Sequence, residues 1–319
     1  MLIADMPTAP PTAEEVMARA ATENFPVSSW LLPRRARSHL LAIYGFARLV
    51  DELGDGPAPG RLVDSPDGAR DPARHDFAAH ELARTVQAEE RLAALDWVER
   101  DLDRAYAGRA EHALLVRLQP TLRDCALPRE PFVRLIEANR LDQRVSRYET
   151  WAQLRAYCAL SADPVGELVL GVLGLATPAR IALSNSICTA LQLAEHCQDI
   201  AEDLARGRVY LPAEDLARCG CAIADLTAVH AGAPLRELLA FEVSRAHGLL
   251  DAGAPLIDEL PGARARLAVA AFAAGGRAAL EAIERAGYDV LAGPPRAGKG
   301  RRALVLAATL ACRRGRVWP

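Results

Sequence analysis

The sequence has few aromatic residues and no excess of positive charge. Aromatic side chains make up 5% of the 319 residues, so alanine, leucine and valine must fill most of the core that the 51% of apolar residues can form. Charged residues reach 25%, and the net charge is −3. Because proteins that bind a nucleic-acid backbone carry a basic surface, this balance argues against nucleic acid as a partner.

The chain also lacks the cysteine pattern of a disulfide framework or a zinc site. It contains seven cysteines, an odd number, and no two of them form a C-x-x-C pair. This pattern indicates buried or free thiols in a reducing cytosol.

Long apolar runs are absent as well. The longest, at 168–176 and 303–312, are about half as long as a membrane-spanning helix needs to be. Met1–Pro11 contains Asp5 and three prolines and has no basic region, unlike a signal peptide. We expect a soluble, cytoplasmic protein, and peripheral contact with the inner face of the membrane stays open.

Apolar residues recur at helical spacing, and strand signals are almost absent. The sequence therefore predicts one all-α domain over residues 1–319, with a flexible N-terminus at about 1–12. A segment rich in Gly, Pro and Asp at about 56–76 predicts a mobile loop, either a lid over a ligand or a plain connection. Helices are predicted at about 35–55, 77–94, 95–108, 111–125, 131–146, 150–160, 164–174, 178–207, 234–250 and 264–286, with a last short helix after a basic loop at 293–302.

The first of two acidic clusters ends the predicted helix 35–55. Tyr44, Arg48, Asp51 and Asp55 are spaced four, three and four residues apart, so they share one helix face. Carboxylates at i and i+4 lie about 6 Å apart at their Cβ atoms, close enough to hold one hard divalent cation or two neighbouring ones. A solvated acidic helix end is the alternative, because such pairs are common on exposed faces.

The second cluster lies in the predicted helix 178–207. On one face it carries Gln192, Glu195, Asp199, Glu202, Asp203 and Arg206. Carboxylates this close repel one another unless a cation lies between them. A bound metal removes that repulsion, whereas a solvated face with Arg206 and Arg208 as counterions is the alternative.

Two acidic helices that face each other would enclose a cavity with metal ligands on both walls. Mg²⁺ prefers carboxylate and phosphate oxygens and keeps several waters, so the pattern predicts a di- or polyphosphate ligand with Mg²⁺, or Mn²⁺ as a substitute. No G-x-S-x-G or H-E-x-x-H motif offers other chemistry. The segment Gly293–Gly300 nearly spells a P-loop, but it lacks the final Ser/Thr and contains two prolines, which favours a basic loop over a nucleotide site.

These motifs resemble those of the squalene/phytoene synthase family, enzymes of the class I isoprenoid synthase fold, over about residues 24–288. Asp51-Glu-Leu-Gly-Asp55 is similar to the first aspartate motif of the family. Asp199-Ile-Ala-Glu202-Asp203, followed by Gly207-Arg-Val-Tyr-Leu-Pro212, is similar to the second. The resemblance implies an all-helical bundle around a central cavity that binds a prenyl diphosphate.

A finer resemblance is to the bacterial hydroxysqualene synthase branch. It rests on Glu23-Asn24-Phe-Pro-Val27, Arg147-Tyr-Glu-Thr-Trp151 and Ala162-Asp-Pro-Val165-Gly166. The chain departs from the wider family at Gln198, where an arginine is usual, and at Glu52, where an aspartate is usual. Less positive charge at 198 suits an enzyme that binds one preformed diphosphate rather than two.

The branch resemblance implies conversion of presqualene diphosphate to hydroxysqualene, in squalene and hopanoid biosynthesis, with no nicotinamide. Presqualene diphosphate synthase and hydroxysqualene dehydroxylase would be its pathway partners. A head-to-head prenyltransferase that makes presqualene diphosphate, squalene or phytoene is the second hypothesis, and a non-catalytic isoprenoid-binding protein is the third.

Roles for individual residues follow from the motifs and the resemblance. The predicted metal ligands are Asp51, Glu52, Asp55, Asp199, Glu202 and Asp203, and the predicted catalytic residues are Asp51, Asp55, Asp199, Asp203, Glu195 and Tyr157. The residues expected to bind substrate are Asn24, Tyr44, Arg48, Ala162, Val165, Gln192, Gln198, Tyr210 and Tyr288, with Ser161 and Val169 as further tunnel lining.

The candidates for placing the water that captures the cation are Glu195, His196 and Asp163. For His196 the alternative is a packed core histidine. For Asp163 it is an N-cap before Pro164. The tunnel residues and tyrosines could equally belong to ordinary helix packing.

Overall fold

The computed structural model describes residues 11–14, 34–55 and 77–314. The predicted N-terminal segment, the loop at 56–76 and Asn24 lie largely or wholly outside these ranges. The α-helices, in chain order, are α1 Arg34–Asp55, α2 Phe77–Tyr106, α3 Ala113–Asp124, α4 Glu130–Asp142, α5 Trp151–Ser161, α6 Asp163–Val172, α7 Pro178–Gln198, α8 Ile200–Ala205, α9 Ala213–Arg218, α10 Ala233–Gly253, α11 Leu256–Glu259, α12 Ala263–Arg285 and α13 Lys299–Arg314. A 3₁₀ helix spans Ile223–Thr227.

The all-α fold predicted from the periodicity is confirmed. Within the described residues, the only β-pairing is an isolated bridge between Arg147 and Val209. None of the described helices is long and apolar enough to cross a membrane.

Two predicted helix boundaries were wrong. Residues 77–106 form one helix rather than two, because no glycine or proline interrupts the chain near Ala94 and Leu95. The predicted helix 178–207 is instead broken at Asp199, whose backbone (φ −102°, ψ 18°) leaves the α-helical region. The short helices α9 and α11 and the 3₁₀ helix were not predicted, since segments of four to six residues are too short to show helical periodicity.

The two predicted N-cap residues had different outcomes. Thr150 caps α5 as its sequence predicts, because its Oγ1 accepts a hydrogen bond from the backbone N–H of Gln153 at 3.3 Å. The predicted N-cap at Asp163 was wrong. Asp163 is the first residue of α6, and its buried carboxylate accepts hydrogen bonds from Arg155 at 2.9 Å and Thr189 at 3.0 Å.

The hydrophobic core has two main parts. One joins α1, α2, α3 and α4 around Phe46, Leu95 and Phe132, and the other surrounds α7 with α5, α10 and α12. Helix α10 lies against α7 so closely that a Cβ atom at Gly253 would be 2.7 Å from the carbonyl oxygen of Leu183. Only glycine allows that approach. Helices α1 and α4 from the first part and α5 and α7 from the second supply the walls of one cavity.

Candidate active site

A cavity of about 250 Å³ lies between these helices, and most of its wall is polar. Both predicted acidic clusters contribute to it, so the two helices face each other. Its lining residues are Arg48, Asp51, Asp55, Leu135, Ala138, Asn139, Asp142, Tyr157, Ser161, Gln192, Glu195, His196, Asp199, Asp203, Arg206, Arg208 and Tyr210.

The first wall is the C-terminal half of α1. Arg48, Asp51 and Asp55 line the cavity from one helix face, as the spacing predicts. Arg48 lies 4.0 Å from Asp51 and 3.3 Å from Glu52. Glu52 is not among the lining residues, so the structure places it beside Arg48 rather than in the predicted metal site.

A glycine lets this wall meet α4. Asn139 on α4 donates a hydrogen bond to the carboxylate of Asp51 at 3.3 Å, and Gln143 donates to the carbonyl oxygen of Gly54 at 2.8 Å. A Cβ atom on Gly54 would be 2.1 Å from the Asn139 side-chain oxygen. The glycine inside Asp51-Glu-Leu-Gly-Asp55 therefore gives Asn139 the space to contact Asp51.

The second wall runs along α7 and into α8. Gln192, Glu195, Asp199 and Asp203 line the cavity on both sides of the helix break. Glu202 does not, although it was predicted as a metal ligand. Its side chain is 63% exposed and forms an ion pair with Arg206 at 2.9 Å.

Two carboxylates of the second wall, Asp199 and Asp203, form no ion pair with a described residue. No side-chain nitrogen of a described Arg, Lys or His lies within 4 Å of their carboxylate oxygens, although burial and nearby charges act on both. Burial and the neighbouring Asp199 raise the pKa of Asp203 to about 7. Burial, followed by the charge of Glu202, raises the pKa of Asp199, while Arg296 partly opposes this. The charges of Arg206 and Arg208 oppose the shift at Asp203, but burial outweighs them.

Arg208 joins the first wall to a buried carboxylate. It lies 3.0 Å from Asp55 and 4.0 Å from Asp142. The segment that carries Arg208 is held in place because the backbone N–H of Val209 donates to the carbonyl oxygen of Ser146 at 2.8 Å. Burial raises the pKa of Asp142 to about 6, against the opposing charge of Arg208.

The inner end of the cavity is aromatic. Tyr157 and Tyr210 both donate hydrogen bonds to Asp142, at 2.9 and 3.1 Å. His196 stacks on Tyr210 with ring centroids 4.0 Å apart. Burial lowers the pKa of His196 to about 3, so its imidazole is neutral. His196 therefore faces the cavity as well as packing in the core.

Several predicted substrate contacts lie away from the cavity lining. Gln198 donates a hydrogen bond to the carbonyl oxygen of Pro295, and Val165 is an exposed residue on α6. Ala162 and Tyr44 are buried in helix packing, and Tyr288 packs beside the second core. Asp163, proposed for water placement, is also outside the lining, and Asn24 lies outside the described residues.

Sequence reasoning missed Asn139 and Asp142 and gave Arg208 only a counterion role. Asn139 and Asp142 are single polar residues near the end of α4, and no repeated spacing identifies them. Asp142 meets Tyr210 across 68 positions in the chain. Such a contact leaves no local pattern, because packing between helices creates it.

The carboxylates of the cavity suit a divalent cation only if another molecule supplies further ligands. Among the described residues, no group of three or more His, Cys, Asp or Glu side chains could hold a metal ion by itself. The two carboxylate pairs nevertheless line one cavity, and the second pair has no ion-pair partner within it. Mg²⁺ is commonly bound by one or two carboxylates plus waters and phosphate oxygens, so the residues fit Mg²⁺ that arrives with a diphosphate.

Comparisons with known proteins agree with this geometry. The hydroxysqualene synthase of Sinorhizobium fredii is 31% identical over 248 residues, 77% of this chain and 74% of that protein. The 15-cis-phytoene synthase of Synechococcus elongatus is 30% identical over 290 residues, 86% of this chain and 84% of that protein. The crystal structure of squalene synthase HpnC from Alicyclobacillus acidocaldarius matches at 42% identity with a TM-score of 0.70, covering 86% of this chain and 93% of that one.

The family model described as squalene/phytoene synthase matches residues 18–305, most of the chain. Together with the helical cavity, this match confirms the predicted isoprenoid synthase-type fold. The chain belongs to the squalene/phytoene synthase family.

Proposed function

We propose that this protein is a hydroxysqualene synthase, which converts presqualene diphosphate and water to hydroxysqualene and diphosphate. The observation that carries the proposal is one cavity in which two carboxylate pairs and three arginines lie beside a buried aromatic end. A hydrocarbon with one diphosphate needs both environments. The similarity to relatives named hydroxysqualene synthase supports the choice of substrate.

The polar end would bind the diphosphate. Arg48, Arg206 and Arg208 provide positive charge there, and Gln192 provides an amide donor. Four carboxylates would hold Mg²⁺, or Mn²⁺ in its place, namely those of Asp51, Asp55, Asp199 and Asp203. We propose these four residues both as metal ligands and as catalytic residues. The bound cation would act as a Lewis acid that neutralises the negative charge of the departing diphosphate.

The aromatic end would stabilise the carbocation left behind. Tyr157 and Tyr210 give their hydroxyl hydrogens to Asp142, so oxygen lone pairs of both tyrosines can be directed at a cation. The neutral ring of His196 stacks against Tyr210 and adds no repelling positive charge. Asp142 holds both tyrosines in this orientation and acts as a positioning residue.

A product assay tests the proposal. Purified protein is incubated with presqualene diphosphate and Mg²⁺ in H₂¹⁸O without reductant, and products are separated by gas chromatography and mass spectrometry. We expect hydroxysqualene with one ¹⁸O atom and one diphosphate released per alcohol. A protein that leaves presqualene diphosphate intact, while farnesyl diphosphate is consumed, would contradict the proposal.

The second candidate is a head-to-head prenyltransferase. It is favoured by the match to a 15-cis-phytoene synthase, which covers more of this chain than the match to the hydroxysqualene synthase of S. fredii. Incubation with farnesyl or geranylgeranyl diphosphate as sole substrate separates the two. Formation of presqualene diphosphate, squalene or phytoene would establish the prenyltransferase.

The proposed reaction also places the protein in a sequence of steps. A presqualene diphosphate synthase would supply the substrate, and a hydroxysqualene dehydroxylase would consume the product. Because substrate and product are both largely hydrocarbon, we place the protein in the cytoplasm with peripheral contact at the inner membrane face. Fractionation of cells that express the protein tests this location.

A further inference from the structure

Ser161 has a hydroxyl group that its surroundings do not satisfy. It is the last residue of α5, one helical turn after Tyr157, and it lines the cavity. Its Oγ is buried and has no hydrogen-bond partner among the described residues. Buried polar groups nearly always have a partner, in the protein or in ordered water, so this hydroxyl needs an explanation.

The polar groups next to Ser161 in the chain are already engaged. The Tyr157 hydroxyl donates to Asp142, and the Asp163 carboxylate accepts from Arg155 and Thr189. The serine side chain turns about a single bond, and the residue as a whole is only partly buried because it borders the cavity. Rotation about that bond can turn Oγ from its buried position toward the cavity, where a partner can reach it.

The nature of the cavity limits what that partner can be. Ser161 lies one helical turn from Tyr157, which belongs to the aromatic end, and the mainly polar lining of the cavity also includes Leu135 and Ala138. A hydrocarbon chain placed there can neither donate nor accept a hydrogen bond. A water molecule can do both, and an unsatisfied hydroxyl beside an open polar cavity is a place where such a water binds.

We propose that Ser161 is a positioning residue that holds the water that captures the carbocation, an inference that rests on the proposed function. The water donates one O–H to the Ser161 Oγ and keeps a lone pair directed at the cationic carbon. That lone pair forms the new C–O bond, and the resulting oxonium releases a proton to the departed diphosphate. Ser161 is unchanged, and no oxidant or reductant is required.

Loss of the hydroxyl should therefore change the product more than the rate of ionisation. Without a held water, the cation loses a proton from a neighbouring C–H bond, whose electrons form a C=C bond, and the diphosphate accepts that proton. For Ser161→Ala we expect the ratio of alcohol to elimination hydrocarbon to fall at least fivefold. Total diphosphate release, which reports C–O cleavage, should stay within about threefold of wild type.

Two further variants separate this role from a structural one. Ser161→Thr keeps a hydroxyl and should restore most of the alcohol. Ser184→Ala is the matched control, because Ser184 is buried on α7, contacts the Cys188 sulfur at 4.0 Å and does not line the cavity. It should keep the wild-type product ratio. Thermal unfolding of each variant, compared with wild type, monitors the fold.

The outcomes distinguish the inference from the proposed function. If wild type releases no diphosphate from presqualene diphosphate, both the proposed function and the role of Ser161 are contradicted. If wild type makes the alcohol and Ser161→Ala makes it in the same ratio, only the role of Ser161 is overturned, and Glu195 or His196 places the water. Equal product shifts in Ser161→Ala and Ser184→Ala would also overturn it, because a general packing effect would then be responsible.

Discussion

The two acidic walls of the cavity share the spacing Asp-x-x-x-Asp, but they differ in how the protein compensates their charge. On the first wall Asp55 has Arg208 at 3.0 Å, and Asp51 has Asn139 at 3.3 Å with Arg48 at 4.0 Å. On the second wall no described cation lies within 4 Å of Asp199 or Asp203, and burial raises the pKa of both. The same Asp-x-x-x-Asp spacing therefore occurs once beside described positive side chains and once without one within 4 Å.

This difference indicates where external positive charge is needed most. The first wall is largely neutralised by the protein and can keep its geometry in the free enzyme. On the second wall, Asp199 and Asp203 are partly desolvated and form no ion pair with a described side chain, a costly arrangement that a bound divalent cation would relieve. We therefore expect the second wall to dominate the dependence on Mg²⁺.

The largest expected effect comes from removing a charge on the second wall. Asp203→Asn should lower kcat with presqualene diphosphate by about 100-fold or more, because it removes a ligand that stabilises charge in the transition state. Glu202→Gln, one residue away but outside the cavity, should stay within about threefold. Steady-state kinetics over a range of Mg²⁺ concentrations checks both. Equal losses in the two variants would contradict the assignment of Glu202 to the surface.

The next largest effect is expected from replacing Arg208, which carries the positive charge nearest to Asp55 on the first wall. Arg208→Met should lower the free energy of unfolding by about 2–3 kcal/mol, because it removes the cation nearest to the buried carboxylate of Asp142 and to that of Asp55. Arg206→Met should cost less than about 1 kcal/mol, since Arg206 is 42% exposed, pairs with the exposed Glu202 and lies 4.0 Å from Asp55. Chemical denaturation of both variants measures the difference. Similar values would show that Arg208 does not compensate Asp142.

Crowding the contact between α1 and α4 should have a smaller effect on stability. Gly54→Ala places a methyl group against Asn139, so we expect a loss of about 1–2 kcal/mol from overpacking and a displaced Asn139. The double variant Gly54→Ala, Asn139→Ala removes the two closest side-chain atoms, leaves the Cβ atom of residue 139 at 3.0 Å from the new methyl group, and should recover part of that loss. Thermal denaturation of the single and double variants tests this coupling. Strictly additive losses would rule out the contact.

The smallest expected effect is a change in stability without metal, and it should have opposite signs for variants of the two walls. In EDTA at pH 8, Asp203→Asn should stabilise the protein by about 1 kcal/mol, because it removes an unpaired, partly buried charge. Asp55→Asn should destabilise it by a similar amount, because it breaks the ion pair with Arg208. Thermal unfolding in the absence of divalent cations compares the two variants.

The effect at Asp203 should depend on pH. Its folded-state pKa, about 7, lies above the usual 3.8, so the folded state binds the extra proton and becomes relatively less stable as pH rises from 3.8 to 7. The advantage of Asp203→Asn should therefore be full above pH 7 and fade as pH falls toward 3.8. An advantage that stayed constant across this range would contradict the charge explanation.

Local spacing was enough to predict much of the fold and the two walls. The periodicity predicted helices, and intervals of three and four residues placed Arg48, Asp51 and Asp55 on one face of α1. The prediction failed where local regularity broke. Asp199 interrupts the helix, and Glu202 lies outside the cavity although its spacing placed it with the other acids.

The sequence by itself determined the helical class, the family motifs and the chemistry of the carboxylate pairs, because these depend on residues within a turn or two of one another. Only the tertiary structure decided which charges are compensated and what forms the aromatic end. Arg208 reaches Asp55 across 153 positions, and Tyr157 and Tyr210 meet at Asp142 from separate segments. Such contacts result from how helices pack, and packing depends on the whole core rather than on any local pattern.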